Sequence, residues 1–166
     1  FSKTKPMTNL EFFKAYFNNE FKATYDIINA IPVDKMHYKP HPINRSAYEL
    51  AEHIVAHVYD FNLMINNGQF DEKLEFPFEN PSELALKMKG LWEQAQKSLE
   101  SLDDKQWEEE TVELLIKGKS FVTLPRMHMV WFFHNDIIHH RGQLSTYLRP
   151  MGGKNPTVYG YSADTV

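Results

Sequence analysis

The stretch HNDIIHHRGQLSTYL, residues 134–148, places three histidines and an aspartate within seven positions, directly ahead of an arginine, a glycine and an apolar helical pattern. Imidazoles and carboxylates are ligands of divalent metals. A solvated helix face has no use for that density of them, and a packed core resists it, because each buried imidazole needs a hydrogen-bond partner. On a helix, Asp136 and His140 stand about 40° and one turn apart, so both side chains reach a common point. His139 lies about 100° round from His140, and His134 about 160° from Asp136, which makes them neighbours of that point rather than ligands. Two ligands from one helix leave a divalent ion under-coordinated, so a third must come from a facing helix, where His53 and His57 are the available imidazoles. Three protein donors leave room for water or substrate, the form of a ligand-accepting centre. A plainer account stays open at this point, since i,i+4 polar pairs are common on helix surfaces and a histidine on an apolar face often only packs.

The elements that must position these residues are read from caps and periodicity. Thr8 with Glu11 forms a capping box, and Leu10, Phe13, Phe17, Phe21 and Tyr25 recur at helical spacing until Ile31-Pro32. Ser46 with Glu49 repeats the signal ahead of Leu50, Ile54, His57, Val58 and Phe61, and Asn67-Gly68 stops that second helix, which carries His53 and His57. Asn80-Pro81 opens a third helix with Leu84, Met88, Leu91, Ala95 and Leu99 as its buried stripe. Residues 111–122 lean towards strand, with Lys117-Gly118 as a turn, and predict a short β-hairpin or an irregular crossover. Pro125 then opens the last helix, which ends before Pro150. The tail from Met151, rich in glycine and proline, is expected to be a draped loop. The fold class predicted is all-α, a four-helix bundle with that hairpin or crossover before the last helix, in one domain over residues 1–166.

Composition narrows the function classes. The 166 residues are 42% hydrophobic, 24% charged and 14% aromatic, ordinary for a globular protein that buries a sizeable core. The net charge of -4 and the lack of a basic cluster argue against nucleic acid as a partner. No cysteine is present, which excludes disulfides and thiolate nucleophiles and leaves any metal to histidine and carboxylate. No run approaches the ~18 apolar residues of a membrane span, and the first ten residues lack a leader's apolar core, so a cytoplasmic protein without membrane contact is expected.

The run DIIHHRGQLSTYLRPMGGKNPTVYG, with ELAEHIVAH about eighty residues upstream, resembles the DinB/YfiT-like family of metal-dependent proteins; HHRGQL followed by YLR, glycines and P-x-x-YG is the family's most recognisable feature. The resemblance covers roughly residues 46–62 and 134–162. It implies a four-helix bundle in which a histidine of the second helix and an H-x-x-x-H pair of the fourth hold a divalent ion, commonly nickel or zinc. By position, His53 matches the histidine of the second helix, His140 the second member of the pair, and Asp136 stands where the family has the first. The implied ligands are therefore His53, Asp136 and His140. Aspartate binds zinc, nickel and manganese well, but its charge lowers the Lewis acidity left for a bound water. Nickel or zinc is expected, with manganese or iron as the harder alternatives.

Around that set, His139, Arg141 and Gln143 are placed to donate to a ligand carboxylate or to bind a substrate anion. Arg141 pairing with a carboxylate of another helix or with the tail is the competing reading. His57 is an alternative ligand or proton shuttle, or a partly buried packing residue. Gly142 suits close helix approach, Trp131, Phe132 and Phe133 suit the core, and Tyr159 and Tyr161 line the pocket mouth or pin the tail. Three functions follow from the resemblance and the open site. The first is a thiol S-transferase acting on a small-molecule substrate with an external low-molecular-weight thiol, the second a metal-dependent hydrolase, and the third a non-catalytic metal- or ligand-binding stress-response protein. A homodimer is expected from the aromatic content.

Overall fold

Thr8 and Ser46 accept hydrogen bonds from the backbone N–H groups of Glu11 and Glu49, whose carboxylates return the bond to the capping residues. These boxes start α1 (Asn9–Asn29) and α2 (Ala47–Asn66) where the sequence places them. Asn80 caps α3 (Pro81–Glu100) through the Ser82 N–H, and α5 (Arg126–Leu148) begins directly after Pro125. Between them a third box, Asp103 with Gln106, opens the short α4 (Asp104–Glu108). The structure, a computed structural model, describes residues 6–166. The first five residues, part of the stretch read for a leader, lie outside these.

Four long helices and a small three-stranded sheet make the fold. Strands β2 (Thr111–Ile116) and β3 (Lys119–Pro125) pair antiparallel with a bulge at Leu114/Leu115, and β1 (Gln69–Asp71) joins β2 in parallel, giving the order β1-β2-β3. The hairpin is thus what the β-leaning stretch forms. Lys117 and Gly118 adopt φ of 52° and 73°, the left-handed pair of a two-residue hairpin turn, and Asp71 fixes the turn by accepting the Gly118 N–H at 2.7 Å. At the end of α5, Gly153 lies so close to the Ala30 and Leu148 carbonyls that an added Cβ would sit 3.2 Å from each. A side chain there would push the tail off the bundle.

The core lies between α1, α2, α3 and α5. Phe13, Phe17, Phe61 and Trp92 are fully buried, with Phe17 stacked on Trp92 at 4.2 Å between ring centroids. Truncating such a ring costs about 3–5 kcal/mol. Phe70 carries β1 onto this core by packing edge-on against Phe133. Two sequence expectations fail here. Phe132 is 61% exposed rather than core, because it falls on the hairpin side of α5. Gly142 has nothing within 4 Å of the Cβ it lacks, so no helix approaches it closely. Among the described residues, no helix is long and apolar enough to cross a membrane.

Candidate metal centre

Helices α2 and α5 pack against each other, and each presents one i,i+4 pair at their seam: His53 and His57 from α2, Asp136 and His140 from α5. The four meet on a single atom. Asp136 Oδ2 lies 3.1 Å from His53 Nε2, 3.0 Å from His57 Nε2 and 3.2 Å from His140 Nε2. The His53 ring is 4.1 Å from that of His57 and 4.7 Å from that of His140. One ligand atom each from His53, His57 and Asp136 lie within 4.8 Å of one another, so these three form a cluster that could hold a metal ion.

The donor chemistry fits a cation. Gln143 Oε1, an acceptor, lies 2.9 Å from His140 Nδ1, which places the proton of a neutral His140 on Nδ1 and leaves a lone pair on Nε2 facing the carboxylate. Two acceptors facing one another at 3.2 Å require a proton or a positive ion between them. His57 Nδ1 is buried without a hydrogen-bond partner; Asp60 Oδ2, fully buried, is the facing group at 3.7 Å. A carboxylate behind a ligating imidazole is the arrangement that orients the ring and raises its basicity.

Electrostatics separates the four groups. Burial would raise the Asp136 carboxyl, but the imidazoles of His140, His53 and His57 gathered around it outweigh burial and hold Asp136 far below the usual carboxylate range. Burial pushes His53 down, with Asp136 opposing. Burial also acts against a charged His57, yet Asp136 and Asp60 together hold it above its ordinary value. Asp136 therefore stays ionised beside a His53 imidazole that burial discourages from taking a second proton.

The cluster forms one wall of a cleft of about 310 Å³. Leu114, Ile116, Phe121, Phe132 and Phe133 give the cleft an apolar wall, with Phe133 edge-on to His57 at 4.5 Å between ring centroids, and Arg45 and Glu72 complete its lining. Glu72 had no signal in the sequence. It is brought here because its backbone N–H continues the β1–β2 ladder to Leu115 O, and a three-residue strand leaves no periodic trace. Burial pushes its carboxyl up, with His57 opposing.

The flanking residues divide. Gln143 reaches the cluster through His140, and exposed His139 lies behind His140, 5.0 Å between ring centroids and 3.0 Å from Gln143 between the Nε2 atoms. Arg141 does not reach the cleft at all. It is buried on the opposite side of α5, 2.6 Å from the Glu20 carboxylate, donating to Thr24 and to the Tyr159 hydroxyl. Tyr159 donates in turn to Glu20, so it pins the tail to α1, while Tyr161 is exposed. His134 is enclosed by aromatic rings away from the cluster.

A model of the DinB family matches residues 6–165. The chain belongs to the DinB family. Among DinB relatives, YjoA of Bacillus subtilis strain 168 is 28% identical over 147 residues, covering 83% of this chain and 88% of its own length. The crystal structure of YjoA, a DinB-like protein, is similar with a TM-score of 0.68 at 23% identity, covering 89% of this chain and 98% of that one. A DinB-like protein from Bacillus cereus reaches a TM-score of 0.71 at 17% identity over 92% and 99% of the two chains. These likenesses establish the DinB-like fold. What the site does rests on its own residues.

Proposed function

We propose that this protein is a metal-dependent enzyme that activates an external thiol or a water for attack on a small molecule, with His53, Asp136 and His140 as ligands and His57 as a further donor. The observation that carries the proposal is the convergence of three imidazole Nε2 atoms on one Asp136 oxygen in an open cleft. A divalent ion held there supplies Lewis acidity, lowering the pKa of a thiol or water beside it. The residues of the chain do the rest. Glu72, which lines the same cleft and whose carboxyl burial pushes up, is the chain's candidate to take the proton released from the nucleophile. Leu114, Ile116 and Phe133 give the cleft an apolar lining beside the cluster, which strengthens the electrostatic interactions made there. A chain without cysteine must take its thiol from solution, which favours a low-molecular-weight thiol as cosubstrate and an S-transferase-like reaction over a covalent one.

Nickel or zinc remains the expected ion, and the Asp136 carboxylate keeps manganese and iron in the comparison. The test is elemental analysis of the purified protein, followed by titration of each metal into wild type and the four single alanine variants at 53, 57, 136 and 140. One bound ion per chain, weakened in every variant, is expected. A wild-type chain that binds none of the four metals stoichiometrically refutes the proposal. Consumption of a free thiol by the loaded enzyme, set against hydrolysis without thiol, separates transferase from hydrolase. A homodimer is proposed as well, because Phe12, 54% exposed, stacks with Tyr16 and Trp131 in an outward aromatic face. Light scattering that gives a monomer at micromolar concentration would refute it.

A further inference from the structure

The cleft does not end at its apolar wall. Leu114, Phe121 and Phe132 also border a second groove of about 230 Å³, completed by Val122, Leu124 and Met129 between the hairpin and α5. All six of its lining residues are apolar. Leu114 and Met129 are buried at its floor, whereas Phe121 and Phe132 are 68% and 61% exposed at the seam between groove and cleft. A single exposed aromatic is unremarkable. Two of them, shared by a polar site and a wholly apolar recess, form a surface that lacks its apolar partner. At the flank of the same cleft Arg45 is exposed and forms no ion pair among the described residues.

We propose that the site takes an amphiphilic small molecule, with an anionic group at Arg45, the reacting centre at the histidine cluster and an aryl or short alkyl arm in the apolar groove. The proposal rests on the metal-dependent reading above and names the substrate class for it. Three features select this occupant. The groove is continuous with the cleft through three shared side chains, which places it within reach of the reacting centre. Its volume suits one ring, since a cavity of roughly 150 Å³ already holds benzene. The free guanidinium supplies charge complementarity for a carboxylate, sulfonate or phosphate.

Calorimetric titration of the full chain, zinc-loaded and metal-free, with acetate, 3-phenylpropanoate and 3-phenylpropan-1-ol tests this. 3-Phenylpropanoate should bind the zinc-loaded protein roughly tenfold or more tighter than acetate, from burial of its ring. Phe121→Ser and Phe132→Ser, both at exposed positions, should bring that ratio close to one while zinc and acetate bind as before. Arg45→Gln should abolish the preference for the acid over the alcohol. Equal affinity for acetate and 3-phenylpropanoate overturns the proposal, as does a preference that survives both serine variants. So does a phenylalanine variant that turns a dimer into a monomer without changing probe binding, which would make the groove an interface between copies. If zinc fails to bind at all, the metal reading falls separately. The metal-free titrations then decide the groove, a ring preference sensitive to Phe121 and Phe132 supporting it and its absence overturning it.

Discussion

At the scale of single residues, Asp136 is where this chain departs from the all-histidine pattern that the resemblance implies, and it is also the atom on which the other three converge. If Asp136 is a ligand, Asp136→Ala removes a charged donor and metal affinity should fall by more than about 100-fold. Asp136→His should restore binding and move the preference towards nickel or zinc. If Asp136 only orients imidazoles, Ala should cost about 10- to 100-fold and His should be no better than Ala. Parallel metal titrations separate the two outcomes. Asp60 raises a related question one layer out, since it faces His57 Nδ1 at 3.7 Å and accepts the Lys73 N–H with both oxygens. Asp60→Asn keeps an acceptor for Lys73 but removes the charge that helps hold His57 above its ordinary value. Metal affinity should fall about 10- to 100-fold. Its pH midpoint should move down, because a less basic His57 releases its competing proton at lower pH. Unchanged affinity and midpoint would leave Asp60 as an anchor for Lys73 only. The Asp136–His140 pair was legible from one turn of helix. The same arithmetic, taken one residue beyond His140, turns Arg141 about 100° away towards α1, where Glu20 meets it. His57 was legible as a candidate beside His53, though whether one or both face Asp136 depends on how α2 rotates against α5; Glu72 was not legible, since its arrival depends on a ladder bond from β1.

At the scale of elements, legibility follows the strength of local signals. The long helices announce themselves because a capping residue, a glutamate three positions on and an apolar stripe agree. Strand β1 is three residues long and exists only through its parallel pairing with β2, and α4 spans five residues, too short for any periodicity. The α2 box is testable by pH. Hydrogen bonds from the Ser46 backbone, with Lys39 nearby, hold the Glu49 carboxyl at about 2 against an ordinary 4.5. A depressed folded-state value means that this contribution is complete above about 4.5 and is lost as pH falls through about 2. Glu49 is partly solvated, so the effect is modest. Wild type and Glu49→Gln should differ in unfolding midpoint at pH 6 and converge by pH 2; a constant difference would place the contribution in packing. The hairpin matters more directly to the site, since it carries Phe121. Gly118→Val forces a branched side chain to φ of 73° and should cost about 1–3 kcal/mol by chemical unfolding. Little change would mean that the turn relaxes to another type.

At the scale of the whole molecule, the core contains one residue that opposes folding in acid. His134 is fully buried, neither ring nitrogen has a hydrogen-bond partner, and the rings of Phe13, Phe17, Phe61 and Trp92 surround it. Burial, reinforced by the Arg141 charge, lowers its pKa from 6.5 to about 3. The folded chain therefore leaves His134 neutral down to about 3, while the unfolded chain protonates it at about 6.5. Across that window the unfolded state binds more protons, so stability falls as pH is lowered, by at most about 1.4 kcal/mol per pH unit from this group. Above 6.5 the histidine is neutral in both states and the slope it contributes vanishes. His134→Leu keeps the volume apolar and removes two unpaired nitrogens, which should raise stability by about 1–3 kcal/mol at pH 7. It should raise it further at pH 4–5, because the variant lacks the proton-linked loss. Urea unfolding of both proteins at pH 4, 5 and 7 measures this as a difference that widens with acidity, carboxylate contributions being common to the two chains. A difference that stays constant with pH would mean that His134 titrates alike in both states. A destabilised variant would mean that the imidazole contributes packing that leucine cannot replace.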